Sequence, residues 1–205
     1  MFDQQNVIKE INKSCSIYFD NSTFILQPSK ANRFNIAGSY TSKAVNRNKN
    51  SNEEINVIKW FKDFWLFVDV RFEASGIDIP NTFISISVFQ GEEKDERKFQ
   101  LFRAEWDNFE DNIFHPQPHW HIYADQNLEN SFEEMIELLE GQDGFADFLN
   151  EERSKGIDLK NMHFAMNGLW STKGSHIHKI DREEIMLNWF QGVLSHIRIQ
   201  LEHVA

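Results

Sequence analysis

Three of the eight histidines of this 205-residue chain, His115, His119 and His121, lie within seven residues of one another. His119 and His121 are separated by one residue, so on a β-strand their side chains leave the same face, roughly 7 Å apart at Cα. Two imidazoles at that spacing can bind one metal ion when a third ligand comes from a nearby strand or loop. The pattern predicts a divalent metal site, for zinc or manganese, with His115, His119 and His121 as ligands and with Glu105 or Asp107 as alternatives to His115.

The run that precedes these histidines carries a charged side chain at every second position. Arg103, Glu105 and Asp107 alternate with apolar residues, which is the period of a half-buried strand. If this run pairs with the run that begins at His119 as antiparallel neighbours, its charged side chains and the histidines line one face of a sheet. The candidate catalytic residues are Arg103, Glu105, Asp107 and His115.

Three kinds of role fit this set of side chains. An open metal site would lower the pKa of a bound water and produce a nucleophile for hydrolysis. Without metal, a histidine beside a carboxylate can act as general base or acid, while the planar guanidinium of Arg103 suits phosphate oxygens, as cleavage of phosphodiesters such as RNA requires. In the third reading the histidines are half-exposed strand residues that bond to carboxylates or water.

Charge is unevenly distributed along the chain. The net charge of −11 disfavours nonspecific binding of nucleic acid by the chain as a whole. Five basic residues and no acidic residue lie between Asn21 and Asn52, and two of them, Lys43 and Arg47, are candidate substrate-binding residues together with Arg103. Residues 129–152 contain nine acidic residues and no basic one, which would suit a basic protein partner.

Composition indicates a packed cytoplasmic protein. Nineteen Phe and six Trp favour a globular core over disorder. No apolar run reaches the roughly 18 residues that a membrane helix needs, and the N-terminus lacks the apolar region of a secretory signal. The single Cys15 excludes an internal disulfide and fits a reducing compartment. The chain has no Gly-rich phosphate loop and no nucleophile elbow, which excludes P-loop NTPases, kinases and α/β-hydrolases.

The periodicity predicts one α+β domain over residues 1–205. Residues 28–50 are polar and basic, and we expect a long loop there, around a short strand. Ser51 begins a capping box, which predicts a helix start. The later period-two runs, joined by short polar turns, predict an antiparallel β-sheet meander. Apolar residues recur every four positions in 181–204, which predicts a long C-terminal helix, and the helices are expected to pack on one face of the sheet.

One stretch also resembles a known family. Arg103-Ala-Glu-Trp-Asp-Asn, followed by His115-Pro-Gln-Pro-His-Trp-His, is similar to the signature of TumE-type toxins, which join a strand to a His- and Pro-rich loop. The family members are about half the length of this chain, which also has extra residues within the motif. The resemblance implies an effector of a bacterial toxin–antitoxin or defence operon, paired with an antitoxin. It carries over Arg103, Asp107, His119 and His121 as functional residues.

Two functions therefore remain open at this point. The first is a bacterial effector with a His-rich, metal-dependent or metal-free hydrolase site that acts on a substrate such as RNA. The second is a non-enzymatic accessory or immunity-type subunit that binds a basic protein partner through the acidic face of residues 129–152. Neither alternative fixes the oligomeric state.

Overall fold

The structure, a computed structural model, describes residues 2–19, 23–48, 51–74, 80–108, 115–123, 164 and 177–204. In this part of the chain the helices are α1 (Gln4–Cys15) and α2 (Glu183–Val204), and a 3₁₀ turn (Ser16–Tyr18) follows α1. The strands are β1 (Ile25–Lys30), β2 (Arg33–Ala37), β3 (Thr41–Asn48), β4 (Ser51–Phe61), β5 (Phe64–Glu73), β6 (Asn81–Gln90), β7 (Arg97–Asp107) and β8 (His119–Ile122). These elements confirm the α+β class.

All eight strands belong to one sheet, and five of them close into a barrel. The strands follow the order β1-β2-β5-β4-β3-β7-β6, and β6 also pairs with β5, which closes the ring. Strands β3 and β7 are parallel, with Lys43 opposite Arg97, whereas the other pairs are antiparallel. Strand β8 pairs with the later half of β7, and the β1–β2 hairpin continues the sheet from the later half of β5.

The prediction of a simple meander is therefore wrong, although the strands from β3 to β8 each pair antiparallel with the next strand in the chain, as expected. Strand direction alternates from one neighbour to the next around β3, β4, β5, β6 and β7. Because five is odd, the first and last strands of the ring run in the same direction, so the closing pair must be parallel. That pair joins segments about fifty residues apart, and it forms because the twisted sheet closes on itself. No local hydrophobic period encodes this closure.

The two helices lie against the outer face of this sheet. On β7, Trp106 points to this face, and its ring centroid lies 5.4 Å from that of Trp189 in α2. The guanidinium of Arg198 lies 3.8 Å from the ring centroid of Phe61. The buried stripe of α2 comprises Met186, Phe190, Leu194, Ile197 and Leu201. This confirms the prediction that a C-terminal helix packs on the sheet, because these side chains recur at the spacing of one helix face.

Helix α1 covers the free edge of β1. The Asp3 side chain caps the start of α1 by accepting from the backbone N–H of Gln5 and Asn6. At the other end, the Asn12 side chain accepts from the backbone N–H of Leu26 at 2.6 Å and donates to the carbonyl of the same residue at 3.1 Å. Asn12 thus satisfies both outward backbone groups of one edge residue, as a neighbouring strand would.

The prediction of a long loop over residues 28–50 is wrong. This stretch contains the end of β1, all of β2 and β3, and only short turns between them. Phe34, Ile36 and Ala44 are buried, whereas the residues beside them are partly exposed and mostly polar. The stretch has too few apolar residues for a strand period to be recognisable. Its strands form because the edges of β4 and β5 have backbone groups with which they can pair.

The helix predicted from the Ser51 capping box is also replaced by a strand, β4. Eight residue pairs join β4 to β3, and the register with β5 shifts between Lys59 and Phe61. Val57 and Ile58 are buried before this bulge and Trp60 and Phe61 are buried at it, so both faces of β4 are covered. A bulged strand therefore mimics the apolar spacing of a helix, and pairing on both edges outweighs the local propensity.

The opposite face of the sheet, which the barrel encloses, is partly polar. Cross-strand pairing places Asp69, Ser85, Glu105 and His119 in one row across β5, β6, β7 and β8. Asp69 is only 1% exposed. Its carboxylate accepts hydrogen bonds from three side chains, at 2.8 to 3.0 Å for the atoms Arg33 Nε, Asn35 Nδ2 and Arg71 Nε. The buried charge is thus balanced and fully hydrogen-bonded.

Some sequence predictions concern residues that the structure does not describe. The acidic stretch 129–152, which is expected to suit a basic protein partner, lies outside the described residues. Neither α1 nor α2 has the length and apolar composition that a membrane span requires.

Candidate metal centre

The pairing of β7 with β8 brings the predicted site together. Arg103 lies opposite His121, and Glu105 lies opposite His119. Because side chains alternate along both strands, these four residues share the enclosed, polar face, as the period-two pattern predicted. Strand β7 of the barrel and its hydrogen-bonded neighbour β8 hold the set, which makes the positions of the four Cα atoms well defined.

Three side chains converge closely enough to hold a metal ion. One ligand atom from each of Glu105, His119 and His121 lies within 4.8 Å of the other two. The two imidazole Nε2 atoms are 2.8 Å apart, and the Nε2 atom of His119 lies 3.7 Å from Oε1 of Glu105. Ligand atoms around a tetrahedral zinc, at about 2.0 to 2.1 Å from the ion, are separated by about 3.3 Å. The two distances measured from Nε2 of His119 thus lie within about half an ångström of the separation expected in such a coordination sphere.

The electrostatics favour the forms of these residues that bind metal. Burial lowers the pKa of His119 to about 4. The charge of Glu105 acts to raise this pKa, and the neighbouring imidazoles act to lower it further. For Glu105, burial acts to raise the pKa, but the contact with His121 and the charge of Arg103 outweigh it, so the pKa lies below its usual value. At neutral pH the site therefore offers a neutral imidazole and a carboxylate, with no proton to displace from either.

His115, the third ligand predicted by the histidine pattern, lies beside this group. Its ring centroid is 4.5 Å from that of His119, and its side chain is exposed. Among the described residues, the ligand atoms that lie within 4.8 Å of one another belong to Glu105, His119 and His121. The structure thus favours the alternative in which Glu105 completes the set, and it places His115 at the solvent side of His119.

Asp107 contacts the loop that carries His115. Its Oδ2 atom accepts a hydrogen bond from Gln117 Nε2 at 2.8 Å, and its backbone N–H donates to Gln117 Oε1 at 3.0 Å. Gln117 is 6% exposed, and its carbonyl accepts from the backbone N–H of His178 at 2.9 Å. Asp107 therefore anchors the histidine loop to the end of β7, and through Gln117 also to the segment that precedes α2.

Arg103 is buried and engaged on two sides. Its Nε atom lies 2.8 Å from Oε2 of Glu105, and its Nη1 atom donates to the carbonyl of Arg47 at 3.0 Å. The Nε–H bond does not point along the line to the carboxylate, so the first contact is an ion pair and not a linear hydrogen bond. With 3% of its surface exposed, Arg103 is placed to fix Glu105 and not to reach a phosphate in solvent.

The two basic candidates of β3 lie in different surroundings. Arg47 reaches the site through its backbone carbonyl, which accepts from Arg103 and, at 2.8 Å, from the hydroxyl of Tyr123. Lys43 has an exposed side chain, with Nζ 3.6 Å from Oε1 of Glu54. It pairs with the first residue of β7, six positions from Arg103 and so about 20 Å along the strand. The structure does not bring Lys43 to the site.

Two residues of the site were absent from the predicted set. Tyr123 continues the alternation of His119 and His121, so the period of β8 could have identified it. Gln117 has no motif of its own, since it becomes important only when the chain brings its side chain to Asp107 and its backbone to His178.

Comparison of the chain with family models, with curated proteins and with solved structures finds no match.

Proposed function

We propose that this protein is a hydrolase that depends on a divalent metal ion bound by Glu105, His119 and His121. The convergence of two imidazoles and one carboxylate within 4.8 Å carries the proposal. Two histidines with one glutamate form a ligand set of catalytic zinc sites, in which one position stays open for water or substrate. When bound, such an ion would lower the pKa of that water towards neutrality.

The surrounding residues have roles that fit this reaction. Arg103 holds the carboxylate of Glu105 in place, because its Nε atom lies 2.8 Å from Oε2. His115 contacts the ring of His119 from the solvent side and is the candidate for transferring a proton to a leaving group. Asp107 keeps the loop of His115 at the end of β7 through Gln117.

We extend the proposal to phosphodiester substrates, RNA among them, and to a role as effector beside an antitoxin. The support is the likeness of the Arg103–His121 stretch to TumE-type toxins, together with ligands that suit metal-assisted phosphodiester hydrolysis. A role in the cytoplasm and a protein partner encoded nearby belong to the same proposal.

The test is hydrolysis of bis-p-nitrophenyl phosphate and of a labelled RNA by metal-free protein to which zinc or manganese is returned. We expect metal-dependent turnover by the wild type and a loss of at least 100-fold in Glu105→Gln and His121→Ala. His203→Ala, which changes an exposed histidine of α2, should retain full activity. Metal binding without turnover on either substrate would contradict the hydrolase and favour the non-enzymatic accessory role. Growth arrest by the wild type but not by His121→Ala would support the effector role.

A further inference from the structure

The two oxygens of Glu105 have different surroundings. Oε2 lies 2.8 Å from Nε of Arg103 and 3.9 Å from Nε2 of His121, whereas Oε1 lies 3.7 Å from Nε2 of His119. A metal bound through both oxygens would draw Oε2 towards the ion, so that this oxygen would be shared between the metal and the guanidinium. In a site of which only a small part is exposed, that movement would weaken the ion pair between Glu105 and Arg103.

Arg103 is itself prevented from following such a movement. Its Nη1 atom donates to the carbonyl of Arg47 at 3.0 Å, and the same carbonyl accepts from the Tyr123 hydroxyl at 2.8 Å. The Arg103 side chain is almost completely buried, and its residue pairs with Ser87 on one side and with His121 on the other. The guanidinium is thus fixed by β3, by the barrel and by the segment that follows β8.

The number of carboxylate oxygens on the metal decides whether the site is open. Two imidazole nitrogens and two carboxylate oxygens fill a four-coordinate sphere, so water or substrate can then bind only if the ion becomes five-coordinate. Two nitrogens and one oxygen leave one position for water or substrate, which catalysis requires. The contact between Arg103 and Oε2 therefore bears on whether Glu105 binds the metal through one oxygen or through two.

We propose that Arg103 is a positioning residue that holds Glu105 as a ligand through one oxygen and thereby keeps one coordination position open. This inference rests on the proposed metal site. Arg103 acts through Glu105 and does not itself touch the ion or the substrate. Groups around a metal centre that orient its ligands typically change metal affinity or activity by about 10- to 100-fold when they are mutated.

The experiment uses Co²⁺ as a visible probe of coordination and azide as a probe of the open position. Wild-type protein, Arg103→Gln and Arg103→Lys are loaded with Co²⁺, and azide is titrated while the visible absorption spectrum is recorded. We expect azide to change the wild-type spectrum and to bind at least tenfold more weakly to Arg103→Gln, because Oε2 then competes for the position. Arg103→Lys keeps a cation near Oε2 and should restore part of the azide affinity.

A matched control separates this effect from general destabilisation of the barrel. Arg33 also pairs with a buried carboxylate of the same sheet, since its Nε atom lies 2.8 Å from Oδ1 of Asp69. Arg33→Gln should lower the melting temperature and leave the azide titration unchanged. If Arg103→Gln binds azide with wild-type affinity and gives the wild-type spectrum, the inference is wrong while the metal site stands.

A second measurement needs no variant. Infrared difference spectra of the wild type on metal binding separate the two ligation modes, because the splitting of the carboxylate stretches is wide for one-oxygen ligation and narrow for two. A narrow splitting would overturn the inference even if Arg103→Gln failed to fold. A wild type that binds no Co²⁺ at all would overturn the proposed function as well.

Discussion

Metal binding should stabilise the folded protein, and His121→Ala should remove that stabilisation. The ligand set exists only when β7 and β8 are paired, so an ion bound there favours the folded state over the unfolded chain. His121 is the appropriate residue to truncate because its side chain is 34% exposed. Its loss removes one of three ligands without opening a large cavity.

The size of the effect follows from linkage. A ligand present at 100 times its dissociation constant stabilises the folded state by about 2.7 kcal/mol. An unfolding entropy of about 2.1 cal/mol/K per residue gives about 0.4 kcal/mol/K for 205 residues. The wild type should therefore melt about 6 °C higher with saturating metal than after chelation.

Differential scanning calorimetry of chelated protein, with and without added zinc or manganese, measures this shift. His203→Ala serves as the control, because it removes an exposed histidine at the end of α2. We expect the control to shift as the wild type does, and His121→Ala to shift by less than about 2 °C. Equal shifts in all three proteins would show that the metal binds elsewhere, and the absence of a shift in the wild type would refute the metal site.

Three further predictions concern the fold. Asp69→Asn should lower the free energy of unfolding in urea by about 3 kcal/mol, because two arginines lose a buried carboxylate; a loss below about 1 kcal/mol would contradict the reasoning. Burial raises the pKa of the Cys15 thiol from 9.0 to about 12, so only the unfolded chain ionises between these values. The free energy of unfolding should be unaffected below pH 9 and should fall as the pH rises towards 12. Between pH 9 and pH 11 the wild type should lose about 2 to 3 kcal/mol relative to Cys15→Ala. Parallel pH profiles of the two proteins would be inconsistent with a buried thiol. Asn12→Ala should cost about 1 to 2 kcal/mol and promote concentration-dependent association through the uncovered edge at Leu26, measured by urea unfolding and light scattering; a monomer of wild-type stability would mean that the edge needs no cover.

The site could be predicted further than the fold, because its information is local. The alternation of charged and apolar side chains in Arg103–Asp107, and the single residue between His119 and His121, define faces that hold in any antiparallel pairing. The sequence left open only the register of the pair, that is, which residue of one strand lies opposite which residue of the other. The third ligand depends on that register, since Glu105 lies directly opposite His119 in the pair, whereas His115 precedes β8 on a loop.

The role of Arg103 illustrates what a pattern leaves undecided. On a polar strand face an arginine can bind a phosphate or an internal carboxylate with equal ease, and the sequence gives no preference. The structure buries Arg103 between Glu105 and the carbonyl of Arg47, a backbone group more than fifty residues away in the chain. Its role follows from the closure of the barrel, in which β3 meets β7.

The sequence by itself determined the α+β class, the amphipathic C-terminal helix and the face that the histidines share. Each of these depends on residues separated by at most four positions, where periodicity and capping act directly. The tertiary structure alone decided that residues 28–50 form strands, that Ser51 begins β4, and that the sheet closes through a parallel pair. In those segments the free energy comes from pairing with strands distant in the chain, and distant partners leave no period in the sequence of either strand.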